Sequence, residues 1–170
     1  MKNEIMKSTM CALAAFFVCS PALAQQPAAQ PPAAQSSYGQ SINNEQAKKV
    51  AASAVAEAKK NNWNMSIAVV NTAGDLIYFE RMDGTSNASV EISIHKARAS
   101  ARFRVPTSSF EDRLAAGPAN SYLLTLDGVI AGRGGNLILL DGKLIGAIGV
   151  SGSTGQADNQ VGLEGAAAMK

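Results

Sequence analysis

His95 is the only histidine in the 170 residues, and it sits four residues after Glu91 and three before Arg98. A multi-histidine metal centre within one chain is therefore excluded, and any Ser-His-Asp triad would have to use His95. At about 100° per residue, a helix over Ser89 to Phe103 aligns Val90, Ile94, Ala97 and Ala101 in a narrow apolar stripe. His95, Arg98 and Arg102 form a neighbouring stripe bordering the core. An imidazole placed there can approach a planar ligand or a metal, while guanidinium groups hold carboxylates in bidentate fashion. The same pattern also describes a half-exposed basic helix face with no ligand.

Other chemistry-bearing residues form weaker constellations. Gly132, Gly134 and Gly135 surround Arg133, and Gly146, Gly149 and Gly152 punctuate a later apolar run. Such glycines let backbone come close to a phosphate, a flat cofactor, another subunit or simply a neighbouring strand. The spacing fits neither a P-loop nor a dinucleotide fingerprint. Asp75, Glu80, Asp83, Glu91, Asp127, Asp141, Asp158 and Glu164 are scattered, with no spacing that sets a general acid opposite a base. Ser151 lacks the Gly-x-Ser-x-Gly context of a nucleophile elbow, because Ser153 stands where the second glycine belongs.

The elements that must position these residues are legible in turn. Met1 to Met10 carries Lys2 and Lys7 ahead of an apolar run from Cys11 to Cys19, and Ala22 and Ala24 stand at the minus-three and minus-one positions of a cleavage site. A signal peptide over residues 1–24, cleaved after Ala24, predicts a periplasmic or secreted protein. Its removal takes both cysteines, which eliminates thiol chemistry in the mature chain. Residues 25–40, rich in Pro, Gln and Ala, read as a disordered linker, and residues 41–170 as one domain.

Within that domain Ala47, Val50, Ala51, Ala54, Val55 and Ala58 define an amphipathic helix. Ser66 to Asn71 and Leu76 to Met82 form a hairpin through Gly74-Asp75. After the helix bearing His95, Ser108-Ser109-Phe110-Glu111 reads as a capping-box start to a short helix. Tyr122 to Leu126, Leu137 to Leu140 and Leu144 to Val150 read as strands, the last two joined at Asp141-Gly142, and a final helix covers about Ala157 to Met169. The fold class is α+β, an antiparallel sheet of about five strands covered by helices. Fifteen Lys and Arg against 13 Asp and Glu give a net charge of +2, which argues against nucleic acid as a partner. No apolar stretch is long enough for a membrane span in the mature protein.

From Ser41 to Lys170 the chain resembles the GlcG/HbpS family of haem-binding proteins, a module similar to the C-terminal part of PduO-type cobalamin adenosyltransferases. The resemblance rests on Asn61-Asn62-Trp63 leading into Ser66-Ile67-Ala68-Val69-Val70, on Gly74 with Arg81-Met82-Asp83-Gly84, and on Lys96-Ala97-Arg98 followed by Ala101. Gly134-Gly135 and the run Gly146 to Gly152 with Asp158 downstream complete it. It implies a profilin-like fold, assembly into a homo-oligomer, and binding of haem or a related tetrapyrrole, with no catalytic residues assigned. A haem needs an apolar slot, cations for its propionates and axial donors to its iron. The assignment implied here places His95 near the iron, with Met82 or Tyr78 as the other donors to consider, and Arg98, Arg102 and Arg133 near the propionates; the slot can form between subunits. Sequestration, delivery or sensing of haem would follow. Two other readings use the same chain. One is an enzyme or accessory factor of small organic-acid (glycolate-type) metabolism, with Lys96, Arg98 and Arg81 holding a carboxylate; the other is an oligomeric interaction module.

Overall fold

A computed structural model describes residues 35–170. The expected signal peptide, and the expected linker up to residue 34, lie outside the described residues. Helix α1 (Asn44–Lys60) starts where Asn43 closes a capping box: its side chain accepts from the Gln46 N–H at 2.9 Å, and the Gln46 side chain accepts from the Asn43 N–H at 3.0 Å. The six small apolar residues of the expected stripe are all buried. Strands β1 (Ser66–Asn71) and β2 (Leu76–Arg81) then form the expected hairpin. Helices α2 (Asn87–Phe103) and α3 (Ser108–Ala115) follow, then β3 (Gly135–Leu140), β4 (Lys143–Ser151) and α4 (Gly155–Ala167).

The sheet has four antiparallel strands in the order β2-β1-β4-β3, so the α+β class holds with one strand fewer than expected. The missing strand is Tyr122 to Leu126, which lies in a 3-10 helix over Pro118–Thr125. Pro118 sits in its first turn, where its missing N–H costs nothing, and of the apolar run only Leu123 is buried while Leu124 is 72% exposed. Without a second apolar face to bury, the run has no reason to enter the sheet. The capping box expected at Ser108 is also absent: α3 has no side-chain cap, because Glu111 is turned toward Arg133 and the Thr107 hydroxyl accepts from the Gly135 N–H at 2.9 Å.

Helices cover both faces of the sheet. Against one face α1 and α4 bury Ile67, Val69, Ile138, Ile148 and Val150; against the other α2 packs on Ala68, Val70 and Ala147. This second interface is built from very small residues. Ala68, Gly149 and Gly135 lie side by side across β1, β4 and β3, forming a trough in which the α2 backbone rests. A methyl group at Gly149 would stand 2.0 Å from the Ser93 carbonyl oxygen, so the contact is backbone against backbone.

Ahead of α1, the last residues of the expected linker are tied down. The Gly39 N–H donates to the Leu144 carbonyl at 2.8 Å and the Leu144 N–H donates to the Ser37 carbonyl at 2.9 Å, filling the lane beside β4 beyond the end of β1. Tyr38 reaches α2, with the Arg104 guanidinium 5.2 Å from its ring centroid. Backbone groups of β4 that β1 is too short to satisfy thus acquire partners. Among the described residues no helix is long and apolar enough to cross a membrane.

Candidate functional site

Helix α2 turns Ser89, Ser93, Lys96, Ala97, Ser100 and Ala101 inward, and the helical repeat then sends His95, Arg98 and Arg102 outward, where all three are exposed. The structure therefore brings these three predicted residues together on one face. His95 and Arg98 line an open recess of about 330 Å³ with Glu91 and Ile92. The two guanidiniums are anchored to the β1–β2 turn: Arg98 Nε donates to the Gly74 carbonyl at 3.2 Å and Arg102 Nε to the Ala73 carbonyl at 3.0 Å. No other hydrogen bond is made by either guanidinium among the described residues, so the remaining N–H groups are open to an anion. Beneath the face, Ile94 and Phe79 pack on the small-residue core.

The other three predicted residues are elsewhere. Tyr78 pairs with Val69 and packs with Met82 against the core shared by α1 and α4, on the sheet face opposite α2. The Tyr78 hydroxyl donates to Glu80 Oε2 at 3.3 Å, and burial together with the Glu80 carboxylate pushes its pKa up. Met82 borders a recess of about 430 Å³ with Lys59, Asn64, Glu80, Arg81 and Asp83. There Arg81 is committed to the Thr85 carbonyl at 2.7 Å and to Asn87 at 2.8 Å. Arg133 is committed too. Its Nε donates to Glu111 Oε1 at 3.1 Å, its backbone N–H donates to Glu111 Oε2, also at 3.1 Å, and its Nη2 meets Asp112. The sheet thus separates Tyr78 and Met82 from His95, and acidic partners on α3 hold Arg133.

The group that sequence reasoning did not place is a buried ion pair. Lys96 Nζ lies 2.8 Å from Asp158 Oδ2 and donates to the Val150 carbonyl at 3.0 Å. The two side chains are 6% and 4% exposed. The Ser153 N–H donates to Asp158 Oδ1 at 3.1 Å. Burial pushes the Asp158 pKa up against the opposing pull of Lys96 and of the Ser153 and Gly152 N–H groups. Lys96, one of the three residues expected to hold a carboxylate substrate in the organic-acid reading, here holds a carboxylate of its own chain. The sequence carried no signal for the pair, because the expected apolar stripe of Val90, Ile94, Ala97 and Ala101 leaves Lys96 off the core, whereas the helix is rotated to bury Ser89, Ser93, Lys96 and Ser100 as well. Gly134 makes the pair possible, since a Cβ there would be 2.6 Å from the Val150 carbonyl and 2.8 Å from Asp158 Cβ. What approaches the backbone at Gly134 and Gly135 belongs to the chain itself: the Val150 carbonyl, Asp158 and Lys96 at the first, and Thr107 with the α2 residues Lys96 and Ser100 at the second.

A family model described as haem degrading protein HbpS-like matches residues 42–167. The chain belongs to the HbpS-like family. This bears out the expected kinship with GlcG and HbpS. Protein GlcG of Escherichia coli K12 is 36% identical over 110 residues, covering 65% of this chain and 81% of GlcG. The crystal structure of a double mutant of HbpS from Streptomyces reticuli superposes with a TM-score of 0.71 at 31% identity, covering 85% of this chain and 99% of that one. The PduOC domain, solved as a haem complex, shares the fold with a TM-score of 0.69 at 22% identity, covering 76% of this chain and 96% of the other. Gly134, Gly135, Gly149 and the Lys96–Asp158 pair fall within the matched span.

Proposed function

We propose that this HbpS-like protein is exported and binds haem on the outward face of α2, serving haem sequestration, delivery or sensing in the periplasm or outside the cell. One observation carries the reading: the chain's only histidine stands exposed beside Arg98 and Arg102 on one helix face, within a family named for haem chemistry. The donor set fits the group. Neutral imidazole is an axial ligand for haem iron, and guanidiniums with spare N–H groups suit propionates. Bound haem would supply a redox-active iron and a strong visible absorption. The protein's part would be to hold and orient it: His95 would hold the iron, Arg98 and Arg102 the propionates, and Ile92 would offer an apolar surface.

The recess is small and open. About 330 Å³ stands at the lower end of ligand-site volumes, so the recess of one chain alone would leave part of a macrocycle uncovered. A second copy of the chain over that recess would cover the apolar ring, which is how the proposed homo-oligomer would serve the site.

The test is a titration of the purified mature chain with haemin, monitored in the Soret region and paired with size measurement. The wild type should develop a shifted Soret band, His95→Ala should lose it, and Arg98→Ala with Arg102→Ala should weaken binding while leaving the band position. Wild-type protein that leaves the haemin spectrum unchanged removes the proposal.

A further inference from the structure

The middle of the interface beneath α2 lacks the large side chains that usually fix how a helix sits, Val70, Phe79 and Ile94 packing at its margin and Arg98 and Arg102 tying only the outer face to the β1–β2 turn. Its inward residues are serines and alanines around Lys96, and the opposing trough is Ala68, Gly149 and Gly135. Ridges this low give little resistance to a helix turning about its axis or sliding along it. Among the inward residues Lys96 is the exception. Its ammonium is held by two acceptors from different elements, the Val150 carbonyl at the end of β4 and the Asp158 carboxylate in the first turns of α4. Asp158 is in turn held by the Ser153 N–H. Three directional bonds therefore run from α2, through the end of the sheet, to the helix layer on its other side.

Buried ion pairs contribute little net stability compared with an apolar pair of the same volume, and their best-attested use is to specify one arrangement among several. His95 is the residue next to Lys96, about 100° around the helix, so any rotation that Lys96 forbids is one that would swing His95. We infer that the Lys96–Asp158 pair fixes the rotation of α2 on the sheet and thereby the direction in which His95 faces; both are positioning residues. The inference concerns ligand-free protein and rests on the haem reading only where haemin enters the test.

The single histidine makes the experiment direct, because the imidazole gives one set of proton resonances. The mature chain carrying Lys96→Met with Asp158→Leu should unfold at nearly the wild-type denaturant concentration while its His95 resonances move. Haemin affinity should fall about tenfold, the range expected when a residue coupled to a site is altered. Lys96→Gln with Asp158→Asn, which keeps both shapes and removes both charges together, should move the same resonances and serves if the apolar double variant does not fold. A folded variant whose His95 signals and haemin affinity match the wild type overturns the inference. Should wild-type protein ignore haemin while the variants still shift His95, the haem proposal fails and the positioning role stands.

Discussion

Gly149→Ala tests the claim that α2 rests on the sheet backbone to backbone. Gly149 does not have positive φ, so alanine fits the backbone, and by reducing the freedom of the unfolded chain it should stabilise the protein by about 0.4–1 kcal/mol if nothing else intervened. The contacts say otherwise. The new methyl would lie 2.0 Å from the Ser93 carbonyl oxygen and 2.5 Å from the Ala97 nitrogen, whereas ordinary contact begins at 3.4 Å. Relief requires α2 to move away by about 1.4 Å at that point, and both obstructing atoms are backbone, so no side chain can swing aside. A gap of roughly 0.5–1 Å already forfeits a quarter to a half of each dispersion contact, here along Ala68, Val70, Ala97, Ala101 and Ala147. Overpacking costs about 1–3 kcal/mol, and the rigid obstruction places this case near 3 kcal/mol, or roughly 10 °C in Tm for a chain of this size. Urea unfolding followed by far-ultraviolet circular dichroism gives the difference, with an unchanged slope expected. Gly142→Ala is the control, since its Cβ meets nothing within 4 Å and its φ of 73° charges only backbone strain. If Gly149→Ala is as stable as the wild type or more so, α2 does not sit in the trough as described.

Glu57 on α1 accepts hydrogen bonds from Gln160 on α4 at 2.6 Å and from Asn61 at 3.0 Å, and these, with Lys60, hold its pKa below the usual 4.5. A depressed carboxylate contributes stability above its unfolded pKa and loses it as pH falls through the folded value. The stability advantage of wild type over Glu57→Gln, measured by denaturation across pH, should therefore be full at neutral pH and vanish in acid; an advantage that grows in acid contradicts the assignment. Tyr38→Ala removes the ring under Arg104, and should cost about 0.5–1 kcal/mol while speeding amide hydrogen exchange at Leu144, whose N–H depends on the docked segment. Unchanged exchange there would mean that the segment holds without its tyrosine.

Local patterns determined much of this protein in advance. The spacing of Ala47 to Ala58 fixed which face of α1 is buried, Asp141-Gly142 marked the β3–β4 hairpin, and the helical repeat placed His95, Arg98 and Arg102 on one face, because each of these is a matter of dihedral preference or periodicity within a few residues. Whether an apolar run becomes a strand depends on finding a free edge and a face to bury, so the fate of Tyr122 to Leu126 was decided by the assembled sheet. The tertiary structure also chose the partners of the charges. Glu111 caps no helix because Arg133, 22 residues on, arrives beside it, and Lys96 meets Asp158 across 62 residues and past the end of the sheet. The Lys96–Asp158 pairing follows from the way α2 and α4 seat on backbone stripped of side chains at Gly134, Gly135 and Gly149. For Lys96 and Asp158 that close approach brings opposite charges from separate layers to 2.8 Å, with both side chains almost wholly buried, so that they must satisfy one another.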